Sequence, residues 1–212
     1  MALSISECTR AVTVAIMGMS MQVIVVLVLV PVVLVAGIVI YLRFTTGDLV
    51  QPTENLKVTS PAFADGGSMP RQYSGRGEDL SPPLDILDIS PDAQSIAVIM
   101  DDHDHPAGIF NHWVIWNIPA SYGRIPEGIP HAEVVPSLGG AVQGRSAYGG
   151  KHYYRGPLPP FGTHTYVFKV YVLDTTLDLP ASARKPDLQR EMEGHILQFG
   201  TLTGTFGGGR RS

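Results

Sequence analysis

The sequence has a single cysteine, Cys8, which lies near the N-terminus and ahead of a long apolar stretch. Everything beyond that stretch therefore lacks a thiol. This absence excludes disulfides, thiol catalysis and cysteine-ligated metals from the C-terminal part of the chain.

Basic residues are also few. The 15 Lys and Arg are outnumbered by 19 Asp and Glu, which gives a formal net charge of −4. The basic residues form no stripe along any segment, so neither the balance nor the pattern of charge favours a nucleic-acid partner.

Charge is missing altogether between Ala11 and Leu42. About twenty helical residues span roughly 30 Å, the thickness of a bilayer's hydrocarbon core. A buried core helix would need polar residues on one face, and a cleaved signal peptide would need a small-residue site after its apolar stretch. The pattern therefore predicts an N-terminal tail (1–11), a transmembrane helix (12–43), a tether (44–56), a domain (57–208) and a C-terminal tail (209–212).

The orientation of this predicted single-pass membrane protein is weakly determined. Lys and Arg are nearly equal in number close to the two ends of the apolar stretch, so the positive-inside rule does not decide. A short tail that stays inside, with the domain on the extracytoplasmic side, is the arrangement we expect.

Beyond residue 57 the chain consists of short β-like runs separated by Gly and Pro. Length and β-branched content predict strands at Ser95–Met100, His112–Ile118 and Thr165–Leu173. The third run has apolar residues on both faces, as expected of a central strand.

One helix is predicted near the end of the chain. It would begin at Pro186, stop at Gly200 and be followed by a strand at Thr201–Phe206. Four apolar residues recur along one face of it: Leu188, Met192, Ile196 and Phe199. The whole pattern predicts a mainly β fold, an antiparallel β-sandwich with a few peripheral helices.

The densest polar cluster, Asp101–Pro106, directly follows the first of these strands. Its carboxylates and imidazoles suit a metal ion held by His103, His105 and Asp104. The alternative is a solvated acidic turn. The residue types alone leave both interpretations open.

A second cluster combines a Pro-rich segment with the start of the third strand. Prolines stiffen a loop without using backbone donors. His164 and Tyr166 are two residues apart in a strand and so point to the same face. A His and a Tyr beneath a rigid loop favour a small polar pocket.

Four blocks in this order resemble the phosphatidylethanolamine-binding protein family, and within it the prokaryotic Raf-kinase-inhibitor-like branch. The blocks are Tyr73–Leu84, Asp102–Pro106, His112–Pro119 and Gly156–Tyr166. The resemblance extends over about residues 57–206 and leaves out the apolar stretch.

The resemblance implies a pocket that accepts phosphate-like groups, including the head group of phosphatidylethanolamine. The family's pocket residues correspond to Asp102, His112, His164 and Tyr166, with Pro106 shaping the wall. Two imidazoles and a phenol can donate hydrogen bonds to a phosphoryl oxygen. Asp102 would fix a histidine tautomer or receive the ammonium of an ethanolamine group.

Two departures from the family pattern bear on the pocket. The family's Asp-Pro-Asp-Ala-Pro is Asp-His-Asp-His-Pro here, which adds His103 and His105. Many prokaryotic relatives have cysteines at the positions of Gly75 and Leu158, and a joint loss makes sense if these positions meet.

The function we expect is a membrane-tethered binding or regulatory module, without a cofactor and without enzymatic activity. Its ligand would be a phosphorylated small molecule or a phospholipid head group, and inhibition of a kinase or protease is a further role implied by the family. The alternative is a hydrolase or lyase that uses His112 and His164 as acid and base, or a metal held by the Asp102–His105 cluster.

Overall fold

The computed structural model describes residues 30–35, 48–49 and 52–207. The chain divides into two compact units, Met1–Phe44 and Thr45–Ser212. In the first unit, residues 30–35 are helical.

The described residues contain no helix that is both long and apolar enough to cross a membrane. This finding overturns the predicted single-pass membrane localisation, and with it the extracytoplasmic placement of the domain. The rest of the predicted span, 12–29 and 36–43, lies outside the described residues.

In the described part of the second unit, ten strands form two sheets. The smaller sheet is antiparallel, in the order β1-β3-β6. The larger has the order β2-β10-β9-β4-β5-β8-β7 and is antiparallel except for the β2–β10 pair. The strands are β1 (Lys57–Thr59), β2 (Gly67–Ser68), β3 (Leu84–Leu87), β4 (Ser95–Asp102), β5 (Phe110–Pro119), β6 (Arg124–Ile125), β7 (Val134–Val135), β8 (Ala141–Gln143), β9 (Thr163–Leu173) and β10 (Ile196–Gly207).

Helical structure in this unit is limited. One α-helix, α1, spans Lys185–Glu191, and short 3-10 turns occur at Arg71–Tyr73, Ala120–Tyr122 and Pro136–Leu138. The predicted mainly β fold with few helices is confirmed.

The three strands predicted from β-branched runs are the centre of the larger sheet. Each is longer than predicted, because β4, β5 and β9 continue their pairing beyond the apolar runs. All eight residues of β4 are buried, so this strand has protein on both faces.

Side-chain alternation along these strands separates two hydrophobic cores. One core lies between the two sheets and includes Val98, Trp113 and Phe168. The other lies on the opposite face of the larger sheet, where Ile99 and Tyr171 belong to one cluster with Leu188 of α1.

The C-terminal helix is shorter than predicted. Leu188 and Met192 are fully buried as expected, but α1 ends at Glu191 and the chain turns at Gly194, whose φ is +82°. Ile196 and Phe199 belong to β10 instead, because pairing with β9 satisfies the backbone along this whole segment.

Gly200, predicted to end the helix, lies in the middle of β10. The segment before β1 crosses the strand here: the N–H groups of Asn55 and Leu56 donate to the Phe199 carbonyl at 2.9 and 3.0 Å. A Cβ on Gly200 would lie 2.2 Å from the Leu56 carbonyl oxygen. The end of the predicted tether is thus packed against the domain.

We expect Gly200→Ala to destabilise the protein by about 2 kcal/mol, because the added methyl must displace the Leu56 backbone. The free energy of urea unfolding measures this. Thr203→Ala, at a half-exposed position of the same strand, is the control and should change it by less than about 0.5 kcal/mol. Equal effects of the two substitutions would contradict the close approach.

Candidate ligand pocket

The ends of β4, β5 and β9 bring the predicted pocket residues together. In the sheet register Asp102 is opposite Tyr166 of β9 on one side and Phe110 of β5 on the other. Asp102 and Tyr166 therefore point to the same face. His164 lies two residues before Tyr166 on β9, so its side chain points to this face as well.

His112 reaches this face through a β-bulge. Met100 pairs with Trp113 and Asp101 pairs with Asn111, so His112 is the extra residue between them. A bulge re-aims one side chain without ending the strand. The His112 ring stands edge-on to the Tyr166 ring, with centroids 5.3 Å apart.

These residues surround a cavity of about 190 Å³. Its lining is formed by Asp102, His105, Phe110, His112, Tyr148, Leu158, Pro159, Pro160, His164 and Tyr166.

Asp102 and His164 form a buried pair at the floor of the cavity. The His164 Nδ1 lies 2.7 Å from the Asp102 Oδ2. Because the carboxylate accepts this hydrogen bond, Nδ1 carries the proton, and Nε2 is the ring nitrogen that remains to contact a ligand. The other carboxylate oxygen accepts the Asp104 N–H at 2.9 Å, which fixes the carboxylate in turn.

His112 is held in the same tautomer by a different acceptor. Its Nδ1 donates to the Arg155 carbonyl oxygen at 2.7 Å. Burial lowers the pKa of His112 below its usual value, against the raising effects of that hydrogen bond and of the Asp102 charge. The neutral ring therefore offers Nε2 as an acceptor, and the protonated ring offers it as a charged donor.

The Tyr166 hydroxyl lies beside the Asp102 carboxylate and the Leu158 backbone, but makes no hydrogen bond of full geometry with either. The side chain is fully buried, and its Oη has no hydrogen-bond partner among the described residues. Burial, with the nearby Asp102 charge, raises the pKa of Tyr166 far above its usual value, so the phenol keeps its proton. A buried donor without a partner is costly unless a ligand or water accepts from it.

Aromatic rings form one wall of the cavity. Phe110 lies 5.8 Å from Tyr148 and 5.5 Å from His112, centroid to centroid, and stacks on His105 at 4.6 Å. The described lining residues include no Lys or Arg. Among these described lining residues, only a protonated histidine presents a positive charge to the cavity.

The structure separates the residues of the Asp-His-Asp-His-Pro block. His105 lines the cavity, whereas His103, Asp104 and Pro106 are exposed and do not line it. No three metal-ligating side chains of the described residues come close enough to hold a metal ion. The predicted metal site at His103, Asp104 and His105 is therefore not assembled.

Proline does shape the wall, but at other positions. Pro159 and Pro160 of the Pro-rich segment line the cavity in place of Pro106. Phe110 and Tyr148 were missed by the sequence analysis; Tyr148 lies in a Gly-rich loop that carries no local signal of a pocket.

Residues 59–207 match the family model described as phosphatidylethanolamine-binding protein. The chain belongs to the phosphatidylethanolamine-binding protein family. A UPF0098 protein of Pyrococcus abyssi is 42% identical over 171 residues, which cover 80% of this chain and 95% of that one. A UPF0098 protein of Methanothermobacter thermautotrophicus is 43% identical over 152 residues, 72% of this chain and 97% of the relative.

Two solved structures share the fold. A phosphatidylethanolamine-binding protein homologue of Chlamydia trachomatis superposes with a TM-score of 0.66 at 31% identity, over 74% of this chain and all of the other. Escherichia coli YbcL superposes with a TM-score of 0.67 at 25% identity, over 73% and 99% of the two chains. The predicted membership of the prokaryotic branch of the family is confirmed.

Gly75 and Leu158, the positions at which the resemblance implies cysteines in relatives, are neighbours in space. The Gly75 N–H donates to the Pro157 carbonyl at 3.0 Å, and a Cβ on Gly75 would lie 3.4 Å from the Leu158 Cβ. Disulfide-bonded cysteines have Cβ atoms about 3.8 Å apart. The two positions can therefore be bridged with little movement.

We expect the double variant Gly75→Cys/Leu158→Cys to form an intramolecular disulfide on mild oxidation. Thiol titration in denaturant should then detect only Cys8, whereas each single variant should keep its added thiol. Retention of all thiols by the oxidised double variant would contradict the proximity of the two segments.

Proposed function

We propose that this protein is a binding module whose cavity takes the phosphate group of a phosphorylated small molecule or of a phospholipid head group, such as phosphoethanolamine. The observation that carries the proposal is the buried Tyr166 hydroxyl, a donor without a partner that lines the same cavity as His112 and His164. Phosphoryl oxygens are strong acceptors for such donors.

The charges of the cavity favour a zwitterion over a bare phosphate. Asp102 would repel a dianion, yet it is paired with His164 and would be neutralised when that ring is protonated. An ammonium group is attracted to a carboxylate and to aromatic faces such as those of Phe110 and Tyr148. Phosphoethanolamine combines both groups.

A regulatory role, such as inhibition of a kinase or protease, would use the same cavity to capture a phosphorylated group of the partner. Binding without turnover is the simplest function of this arrangement. The lining has a fixed donor and three histidines, and no Ser or Thr among its described residues that would serve as a nucleophile.

A second candidate, hydrolysis of a phosphate ester, is favoured by one feature. The Asp102–His164 hydrogen bond has the form of an orienting carboxylate and a general base, with Nε2 available to activate a water. Turnover of p-nitrophenyl phosphate that disappears in His164→Asn would support it. Absence of turnover in the unmodified protein would reject it.

We expect calorimetry to detect phosphoethanolamine binding, and Tyr166→Phe to weaken it about 5–10-fold, since one buried hydrogen bond contributes about 1–1.4 kcal/mol. Tyr153→Phe, a hydroxyl removed outside the cavity, is the matched control and should bind as the unmodified protein does. Unchanged affinity in Tyr166→Phe, or no heat at roughly millimolar ligand, would count against the proposal.

Anion binding should strengthen as the pH falls. Since burial lowers the pKa of His112, this ring is neutral at neutral pH and gains a charged donor only below the usual histidine pKa. Sulfate keeps its charge in this range and is a suitable probe. We expect its affinity to rise as the pH falls from about 7.5 into the range below the usual histidine pKa of about 6.5.

His112→Gln should remove the part of this pH dependence that comes from His112, while keeping a side chain of similar polarity. A profile in His112→Gln that is identical to that of the unmodified protein would show that His112 does not contact the anion.

A further inference from the structure

A buried cluster of four charges lies on the other face of β4 and β9 from the cavity. It consists of Asp48, Asp101, Lys169 and Lys185. The side chains of Asp101, Lys169 and Lys185 are no more than 5% exposed, and that of Asp48 is 13% exposed. Charges this deep must be paired to be tolerated.

Asp101 pairs with both lysines of the cluster. Its Oδ2 accepts from Lys169 Nζ at 2.8 Å and from Lys185 Nζ at 2.7 Å, and its Oδ1 accepts from Asn111 Nδ2 at 3.0 Å. One carboxylate against two ammonium groups leaves an excess positive charge in the protein interior. A second carboxylate is needed to balance it.

Asp48 supplies that carboxylate from the segment ahead of β1. Its Oδ2 lies 2.5 Å from Lys169 Nζ, and its Oδ1 lies 2.9 Å from Lys185 Nζ and accepts from Gln189 Nε2 at 3.1 Å. The Leu49 N–H donates to the Gln189 Oε1 at 3.2 Å. Gln189 is fully buried, and its side-chain amide forms hydrogen bonds with both the Asp48 side chain and the Leu49 backbone.

The electrostatics agree with a bound carboxylate. Burial alone would raise the pKa of Asp48, but Lys185 and Lys169 outweigh it and hold the pKa below its usual value. Burial would likewise lower the pKa of Lys169, but Asp101 and Asp48 hold it above its usual value. Asp48 and Lys169 therefore stay charged at neutral pH because their partners are present.

We propose that Lys169, Lys185 and Gln189 form a carboxylate-binding cradle and that Asp48 is its ligand, which docks the segment ahead of β1 onto the α1 side of the larger sheet. The cradle combines two point charges with one amide that fixes the orientation. It is separate from the candidate ligand pocket, because β4 presents Asp101 to one face and Asp102 to the other.

The test is chemical rescue by acetate. Asp48→Ala in the full chain removes the carboxylate and leaves space for a small one, and we expect its thermal midpoint to fall by at least about 4 °C. Sodium acetate should then raise the midpoint of Asp48→Ala more than it raises that of the unmodified protein, with sodium chloride at equal ionic strength as the salt control.

Two variants sharpen the comparison. Asp48→Asn keeps the shape without the charge and should be destabilised without rescue by acetate. Glu54→Ala removes an exposed carboxylate of the same segment, which accepts only the Thr201 hydroxyl among its described contacts, and should show neither effect. Equal acetate responses in Asp48→Ala and the unmodified protein would overturn the proposal.

Hydrogen exchange at the Leu49 amide is a second readout that needs no folded Asp48→Ala protein. The amide should be protected in the unmodified protein, and protection should fall at least about tenfold in Asp48→Asn, in line with the loss of a docked local unit. A Leu49 amide that exchanges as fast as an unstructured one in the unmodified protein would contradict docking.

Discussion

The antiparallel pairing of β4 with β9 places the candidate pocket and the buried charge cluster on opposite faces of one sheet. Asp102 is opposite Tyr166, and Asp101 is opposite Val167, so two adjacent carboxylates point to opposite faces of the sheet. On one face Asp102 orients His164 in the cavity; on the other Asp101 binds Lys169. A register slip of one residue would turn each carboxylate to the opposite face of the sheet.

The described lining residues of the candidate pocket offer hydrogen-bond donors and no fixed positive charge. Tyr166 always offers a neutral donor, whereas His112 and His164 offer charged donors only when protonated. Asp102 accepts a hydrogen bond from His164 and opposes a bare anion. Such a site suits a ligand that brings its own cation. The Arg155 guanidinium is instead engaged outside the lining, at 2.7 Å from Asp79.

Local pattern was enough to predict the central strands and the shared face of His164 and Tyr166, because both depend on the two-residue period of a strand. It failed where a contact far along the chain decides the structure. Ile196 and Phe199 fit a helical period equally well, and only their pairing with β9 makes them a strand. Asp48 appeared to lie in a tether because its lysine partners are more than a hundred residues away in sequence. Pro106 was placed in the wall because the resemblance gives order along the chain and no direction for a side chain in a turn.

The most direct test of the account is a crystal structure of the protein saturated with phosphoethanolamine. We expect a phosphoryl oxygen within about 3 Å of the Tyr166 Oη, and a second phosphoryl oxygen facing the Nε2 of His112 or His164. The ammonium should lie toward Asp102 and the ring of Phe110. A ligand bound only outside this cavity, with the Tyr166 hydroxyl still unpartnered, would contradict the central claim.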